Sequence, residues 1–192
     1  MLRKRLAAML ASLFATAITG AAFASLLTSG KTDTVETGNL GEALTVLHAV
    51  GQWSVDVSKM ADERAKADLV KNYARTIATA NAETDAKLVE IAKKNGIEVA
   101  ALDPKTEEGK SLLDRMKAET LLLSSLKGDA FDKEYMTLVT NTQQSVSHFL
   151  EAHKAAAKDP AAKKLMGDMH STIQQRLKTA QDILAKVYGD SI

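Results

Sequence analysis

The chain has 192 residues with a formal net charge of +1, 4% aromatic residues, two prolines and no cysteine. The absence of cysteine excludes disulfides, thiol chemistry and cysteine-based metal sites. Charges of both signs are interspersed, which excludes the clustered cations that nucleic acids require. Abundant Ala, Leu, Lys and Glu, with few prolines between them, predict an all-α protein.

The N-terminal segment has the organisation of an export signal. Basic residues at positions 3–5 precede an apolar run, Leu6–Ile18, and Ala22–Ala24 provides small side chains for cleavage. We therefore expect residues 1–24 to be a signal peptide and the protein to be periplasmic or associated with the outer membrane. The alternative is a retained membrane anchor, because the uncharged stretch Leu6–Thr28 is just long enough to span a bilayer.

The first half of the remaining chain predicts two long helices. A linker rich in Ser, Thr and Gly covers residues 25–38. From Leu40, apolar residues recur every three or four positions, as they do in amphipathic helices. Asp68 has the chemistry of a helix N-cap and Asn95-Gly96 that of a helix stop, so a second long helix is expected between them.

The second half predicts one short helix and two long ones. The short helix is expected near Glu107–Leu126, and the next long helix covers Asp129–Ala157. Asp159-Pro160 combines an N-cap with a proline at the first helical position, which starts the last helix. The pattern predicts a domain at 39–188, an antiparallel bundle of four long helices with one extra short helix, and a tail at 189–192.

The inward faces of these predicted helices carry polar residues at several positions. Antiparallel packing would bring them to a similar depth, where polar groups are costly unless they are hydrogen-bonded. Two interpretations remain open: a small polar binding site between the helices, or hydroxyls bonded to their own helix backbones. The residues are Ser54, Asn81, Thr84, Thr142, Ser145 and Arg176.

No catalytic or metal-binding motif accompanies this polar layer. The chain contains no Glu-x-x-His, which di-iron bundles use, and no phosphate loop, Gly-x-Ser-x-Gly or His-Glu-x-x-His. The four histidines are interpreted as surface or boundary residues. We therefore predict no metal, no cofactor and no enzymatic activity, but a non-catalytic protein that binds an unknown protein or small-molecule ligand. The alternatives are a metal-binding protein or oxidoreductase on the same scaffold, and a membrane-tethered sensor or scaffold.

One segment carries a family resemblance. The pattern Phe131-Asp132-x-x-Tyr135-Met136, followed by Asp159-Pro160 and Gln175-Arg176-Leu177, resembles an exported bacterial family, the domain of unknown function DUF4142. Members are often labelled predicted outer membrane proteins. The resemblance extends over Leu40–Val187. It implies a ferritin-like four-helix bundle behind an export signal, with a largely uncharacterised activity.

Three positions depart from the pattern of that family. Where the family has two Asp-His pairs and a further histidine, this chain has Ala80-Asn81, Asn141-Thr142 and Arg176. The resemblance thus implies that any metal site built on those histidines is lost here. Polar side chains remain at all three positions, so a hydrogen-bonded cluster is expected in its place.

Overall fold

The computed structural model describes residues 39–157 and 160–189. The predicted signal peptide, the linker at 25–38 and the proposed N-cap Asp159 lie outside these residues. The described residues form five α-helices and no β-strand, which confirms the predicted all-α class. The helices are α1 (Asn39–Arg64), α2 (Asp68–Lys94), α3 (Glu107–Ser125), α4 (Gly128–Ala156) and α5 (Pro160–Gly189). None of these helices has the length and apolarity needed to cross a membrane.

The helices α1 and α2 pack along each other as an antiparallel pair. Near their connection, Arg75 donates to Asp62 at 2.7 Å, and at the far end His48 Nδ1 lies 2.7 Å from Asp85 Oδ1. Along both helices, apolar side chains at helical spacing face the core, which removes them from water. The buried apolar set includes Leu47, Val50 and Val57 of α1 and Val70, Ile77 and Leu88 of α2.

The helices α4 and α5 form a second antiparallel pair, and the two pairs are packed together. Gln174 contacts Ser147 near the middle of this second pair. Helix α1 contacts α4, where Ser58 and Tyr135 share a hydrogen bond of 3.0 Å. Helix α2 contacts α5. One hydrophobic core lies between the four long helices, and Phe131, Tyr135, Met136 and Leu150 of α4 are fully buried in it.

The short helix α3 packs on the outside, against α1 and the start of α4. The Trp53 indole donates to the Thr120 hydroxyl at 2.9 Å. Arg64 donates to the backbone carbonyls of Ser124 and Leu126, and its guanidinium lies 5.1 Å from the centre of the Phe131 ring. These contacts hold the C-terminal end of α3 against the end of α1.

The prediction that Asp68 caps α2 is wrong by one residue. The N-cap is Ala67, which makes no side-chain capping bond, and Asp68 is the first helical residue. The acceptor comes instead from α4, where the buried Asp132 carboxylate accepts from Lys66 N at 2.8 Å and from Ala67 N at 2.7 Å. The carboxylate supplies what an N-cap normally supplies, an oxygen for unpaired backbone N–H groups at a helix start.

Candidate functional site

A cavity of about 70 Å³ lies between the four long helices. Each of these helices contributes both apolar and polar atoms to its wall. The apolar part consists of Leu47, Val50, Leu88, Val146, Met169 and Ile173. The polar part consists of Ser54, Asn81, Thr84, Asp85, Thr142, Gln143, Thr172 and Arg176.

Five of the six residues predicted for the polar layer line this cavity: Ser54, Asn81, Thr84, Thr142 and Arg176. The structure does not bring the sixth, Ser145, to the wall. Its side chain is buried, and its hydroxyl donates to the Asn141 carbonyl at 2.9 Å. The Thr84 hydroxyl likewise donates to the Ala80 carbonyl at 2.7 Å. These two hydroxyls therefore follow the second interpretation of the polar layer, backbone bonding within one helix.

A chain of side-chain hydrogen bonds links three helices at the wall of the cavity. Arg176 Nη1 of α5 donates to Asn81 Oδ1 of α2 at 2.9 Å. Asn81 Nδ2 in turn donates to Ser54 Oγ of α1 at 2.8 Å. Because the Asn81 carbonyl accepts from a cation, its amide orientation is fixed, and the guanidinium is held beside the cavity.

Gln143, which the sequence analysis did not select, is the most informative residue in the wall. Its Nε2 donates to the Tyr73 hydroxyl at 2.8 Å, and that hydroxyl donates to the Arg176 carbonyl at 3.2 Å. Burial raises the pKa of Tyr73 to about 12, so the phenol keeps its proton at neutral pH. The donation by Tyr73 fixes the amide of Gln143 with nitrogen toward the phenol. The Gln143 Oε1 atom is then a buried acceptor that has no hydrogen-bond partner in the described residues.

Asp85 is a second wall residue that the sequence analysis missed. It is buried, and its two oxygens accept from His48 Nδ1 at 2.7 Å and from Gln52 Nε2 at 2.5 Å. A carboxylate oxygen can only accept here, so His48 carries its proton on Nδ1. Asp85 follows Asn81 by four positions, so the two residues lie on the same face of α2. This spacing is the sequence feature that could have placed Asp85 in the polar layer.

Arg176 supplies the positive charge of the wall. Burial lowers the pKa of its guanidinium, while Tyr73 and Glu83 raise it, and an arginine remains charged at neutral pH in either case. Among the described residues, Arg176 forms no ion pair. A half-buried guanidinium that forms no ion pair can bind an anionic group of a ligand.

No group of three His, Asp or Glu side chains within residues 39–157 and 160–189 is arranged to hold a metal ion. His148 is exposed, and His48, His153 and His170 are half-buried. The carboxylate and imidazole nearest the cavity, Asp85 and His48, bond to each other.

Comparisons with known proteins give a family and a fold. The family described as "Domain of unknown function (DUF4142)" matches residues 25–183, which confirms the resemblance found in the sequence. A crystal structure described as "putative secreted protein DUF305 from Streptomyces coelicolor" has a TM-score of 0.62 and 18% sequence identity, and covers 78% of this chain and 91% of its own. At this identity the likeness shows an all-helical fold alone. No curated protein matches the chain.

Proposed function

The chain belongs to the DUF4142 family, and from this premise we propose that it is an exported, non-catalytic binding protein of the periplasm or outer membrane. In this proposal α1, α2, α4 and α5 form an antiparallel, ferritin-like bundle, and α3 is an accessory helix. The ligand occupies the cavity between the four long helices. The resemblance to a structure described as a "putative secreted protein" supports the export part.

The observation that carries the binding role is that two polar groups in the cavity wall each lack a partner, for a hydrogen bond or for an ion pair, among the described residues. Gln143 Oε1 is a buried acceptor without a partner, and Arg176 is a half-buried cation without an ion pair in the described residues. Leaving one buried polar group unbonded costs about 1–3 kcal/mol. A protein whose core served stability alone would fill this space with apolar side chains. A ligand that pairs with both groups removes the cost.

Gly51 supports the same role. It lies in the middle of α1 and lines the cavity, and a glycine there destabilises the helix by about 0.5–1 kcal/mol relative to alanine. A Cβ atom at this position would lie 3.9 Å from Asp85 Oδ1, which is ordinary contact distance. Packing does not require a glycine here. The missing side chain instead leaves room in the cavity.

The wall favours binding over chemistry. The Asp85 carboxylate, the obvious candidate for a general base, already accepts from His48 and Gln52. The Thr84 hydroxyl, a candidate nucleophile, donates to its own helix backbone. A catalytic set needs a base positioned to take a proton from a nucleophile or substrate.

The test is recovery of the protein from the envelope of its own host, followed by mass spectrometry of the small molecules that denaturation releases. We expect about one ligand per chain from the wild type and none from Gly51→Leu, whose side chain fills the cavity. Gly167→Ala is the matched control, because its new methyl group would meet only the flexible end of Lys154. A wild type that releases nothing, or a Gly51→Leu variant that releases the same molecule, would contradict the proposal.

Export is tested on the same sample by N-terminal sequencing. A chain that begins at Ser25 in the envelope fraction supports a cleaved leader. A chain that begins at Met1 in the membrane fraction overturns cleavage in favour of a retained anchor. Recovery from the cytosol overturns export.

A further inference from the structure

The cavity wall holds one positive and one negative side chain, on neighbouring helices. Arg176 of α5 supplies the guanidinium and Asp85 of α2 the carboxylate. They do not pair with each other: Arg176 donates to Asn81, and Asp85 accepts from His48 and Gln52. A metal cation would be repelled by the first charge and a simple anion by the second. A molecule that carries both charges matches both.

The hydrogen-bonding capacity of the wall points to the same chemistry. To the described residues, the Arg176 side chain donates a single hydrogen bond, through Nη1, so the planar guanidinium retains donors for a carboxylate. Gln143 Oε1 is an acceptor without a partner in the described chain and requires an N–H or O–H donor. An ammonium group is such a donor, and it would also be attracted by Asp85.

The size of the cavity limits the rest of the molecule. A water molecule needs roughly 10–15 Å³ of cavity volume, so a cavity of about 70 Å³ has room for several waters or for one small organic molecule. Glycine, alanine and serine are molecules of this size. Leu47, Leu88 and Val146 form an apolar surface on which a methyl group can pack.

We propose that the cavity binds a small α-amino acid, with its carboxylate on Arg176 and its ammonium group on Gln143 Oε1 near Asp85. This inference deepens the proposed binding role and rests on it. Asn81 and Ser54 act as positioning residues, because their hydrogen bonds hold the guanidinium in place. The Tyr73 hydroxyl does the same for Gln143.

The first test needs no variant. The full-length chain is titrated in a calorimeter with glycine, L-alanine and L-serine, and with two analogues of alanine that each lack one charge. L-lactate replaces the ammonium by a hydroxyl, and L-alaninamide replaces the carboxylate by an amide. We expect saturable binding of at least one amino acid at one per chain, and binding at least tenfold weaker for both analogues. Equal affinity for either analogue, or no binding of any amino acid, would overturn the inference.

The second test assigns the two contacts. Arg176→Gln should weaken amino-acid binding about 10- to 100-fold, because a charge-assisted hydrogen bond is lost. Gln143→Met should weaken it about tenfold, and Arg176→Lys, which keeps the charge but not the fork, should be intermediate between Arg176→Gln and the wild type. The matched control is Lys178→Gln, which removes an exposed positive charge from the same helix outside the cavity. Equal affinities in Arg176→Gln and the control would overturn the assignment.

Failure of this inference can be told apart from failure of the proposed function. If no amino acid binds but the protein from its host releases another ligand that Gly51→Leu abolishes, the binding role stands and the ligand class is wrong. If no amino acid binds and nothing is released, both are wrong. Circular dichroism of each variant shows whether a loss of binding reflects a loss of helix.

Discussion

Two buried polar regions of the molecule differ in how completely their hydrogen bonds are satisfied. At the α1–α2 connection, Asp132 accepts from two backbone N–H groups, and Tyr135 shares a hydrogen bond with Ser58. At the cavity, Gln143 Oε1 has no partner and Arg176 forms no ion pair within the described chain. Satisfied polar groups add to stability, whereas unsatisfied ones lower it until a ligand completes them.

The difference gives each region an expected role. The connection region coincides with the Phe131-Asp132-x-x-Tyr135 pattern that carried the family resemblance, and its contacts fix α4 to the turn between α1 and α2. Substitutions there should alter the free energy of unfolding. Substitutions in the cavity wall should alter binding more than stability.

The largest expected effect is at Asp132. Asp132→Ala removes the acceptor for the N–H groups of Lys66 and Ala67, so we expect a loss of about 2–4 kcal/mol in the free energy of unfolding, measured with urea. Asp132→Asn retains one carbonyl acceptor and should lose less. If the loss in Asp132→Ala were below about 0.5 kcal/mol, typical of surface substitutions, the capping role would be wrong.

The free energy of unfolding at alkaline pH should report on the buried phenols of Tyr73 and Tyr135. Burial raises the pKa of Tyr73 to about 12 from its ordinary value of 10.0, so the stabilisation by the neutral phenol is fully present below pH 10 and is lost as the pH rises through 12. We expect about 2–3 kcal/mol to be lost across this window. Burial also raises the pKa of Tyr135, which therefore acts in the same direction.

Urea unfolding at several pH values checks this expectation. Tyr73→Phe should flatten the alkaline decline, and the double variant with Tyr135→Phe should flatten it further. A Tyr73→Phe variant with the alkaline profile of the wild type would show that this phenol is not buried as described.

At Asn81 in the cavity wall, unlike at Asp132, we expect a substitution to impair ligand binding. Asn81→Leu leaves Arg176 Nη1 and Ser54 Oγ without the hydrogen bonds that the Asn81 amide makes to them, so the free energy of unfolding should fall by about 1–3 kcal/mol. Binding should fall at least tenfold, because the Arg176 guanidinium loses the acceptor that positions it. Parallel urea unfolding and calorimetry separate the two quantities. A large loss of stability with unchanged binding would make Asn81 a structural residue.

The smallest expected effect is a gain at Gly51. Gly51→Ala should stabilise the protein by about 0.5–1 kcal/mol through helix propensity, because the new methyl group meets nothing closer than 3.9 Å. Gly167→Ala, also in a helix interior, should give a similar gain with no effect on binding. If Gly51→Ala were destabilising, the glycine would be needed for packing, and its value as evidence for a binding site would be lost.

The sequence predicted the features that depend on local periodicity. The alternation of apolar and polar residues located the helices, and the same alternation placed Ser54, Asn81 and Arg176 at one depth. Ser145 is buried, as predicted, but its side chain does not line the cavity. The helical phase inferred from a sequence is uncertain by about one residue, which is enough to turn a side chain away from the cavity.

The features that the sequence did not reveal depend on contacts between distant segments. Asp132 caps a helix that begins 64 positions earlier in the chain, and no local pattern marks such a pairing. Asp85 was not selected from the sequence because an isolated carboxylate favours water, and its burial depends on His48 and Gln52 of another helix. Gln143 became informative only when the donation from Tyr73 fixed its amide.

A crystal structure of the protein recovered from the envelope of its own host would test the binding site most directly. We predict electron density for an ordered small molecule, other than water, that contacts both Arg176 and Gln143 Oε1. A cavity that holds ordered water alone, or one that has closed so that these two groups bond to each other, would contradict a ligand site between the helices.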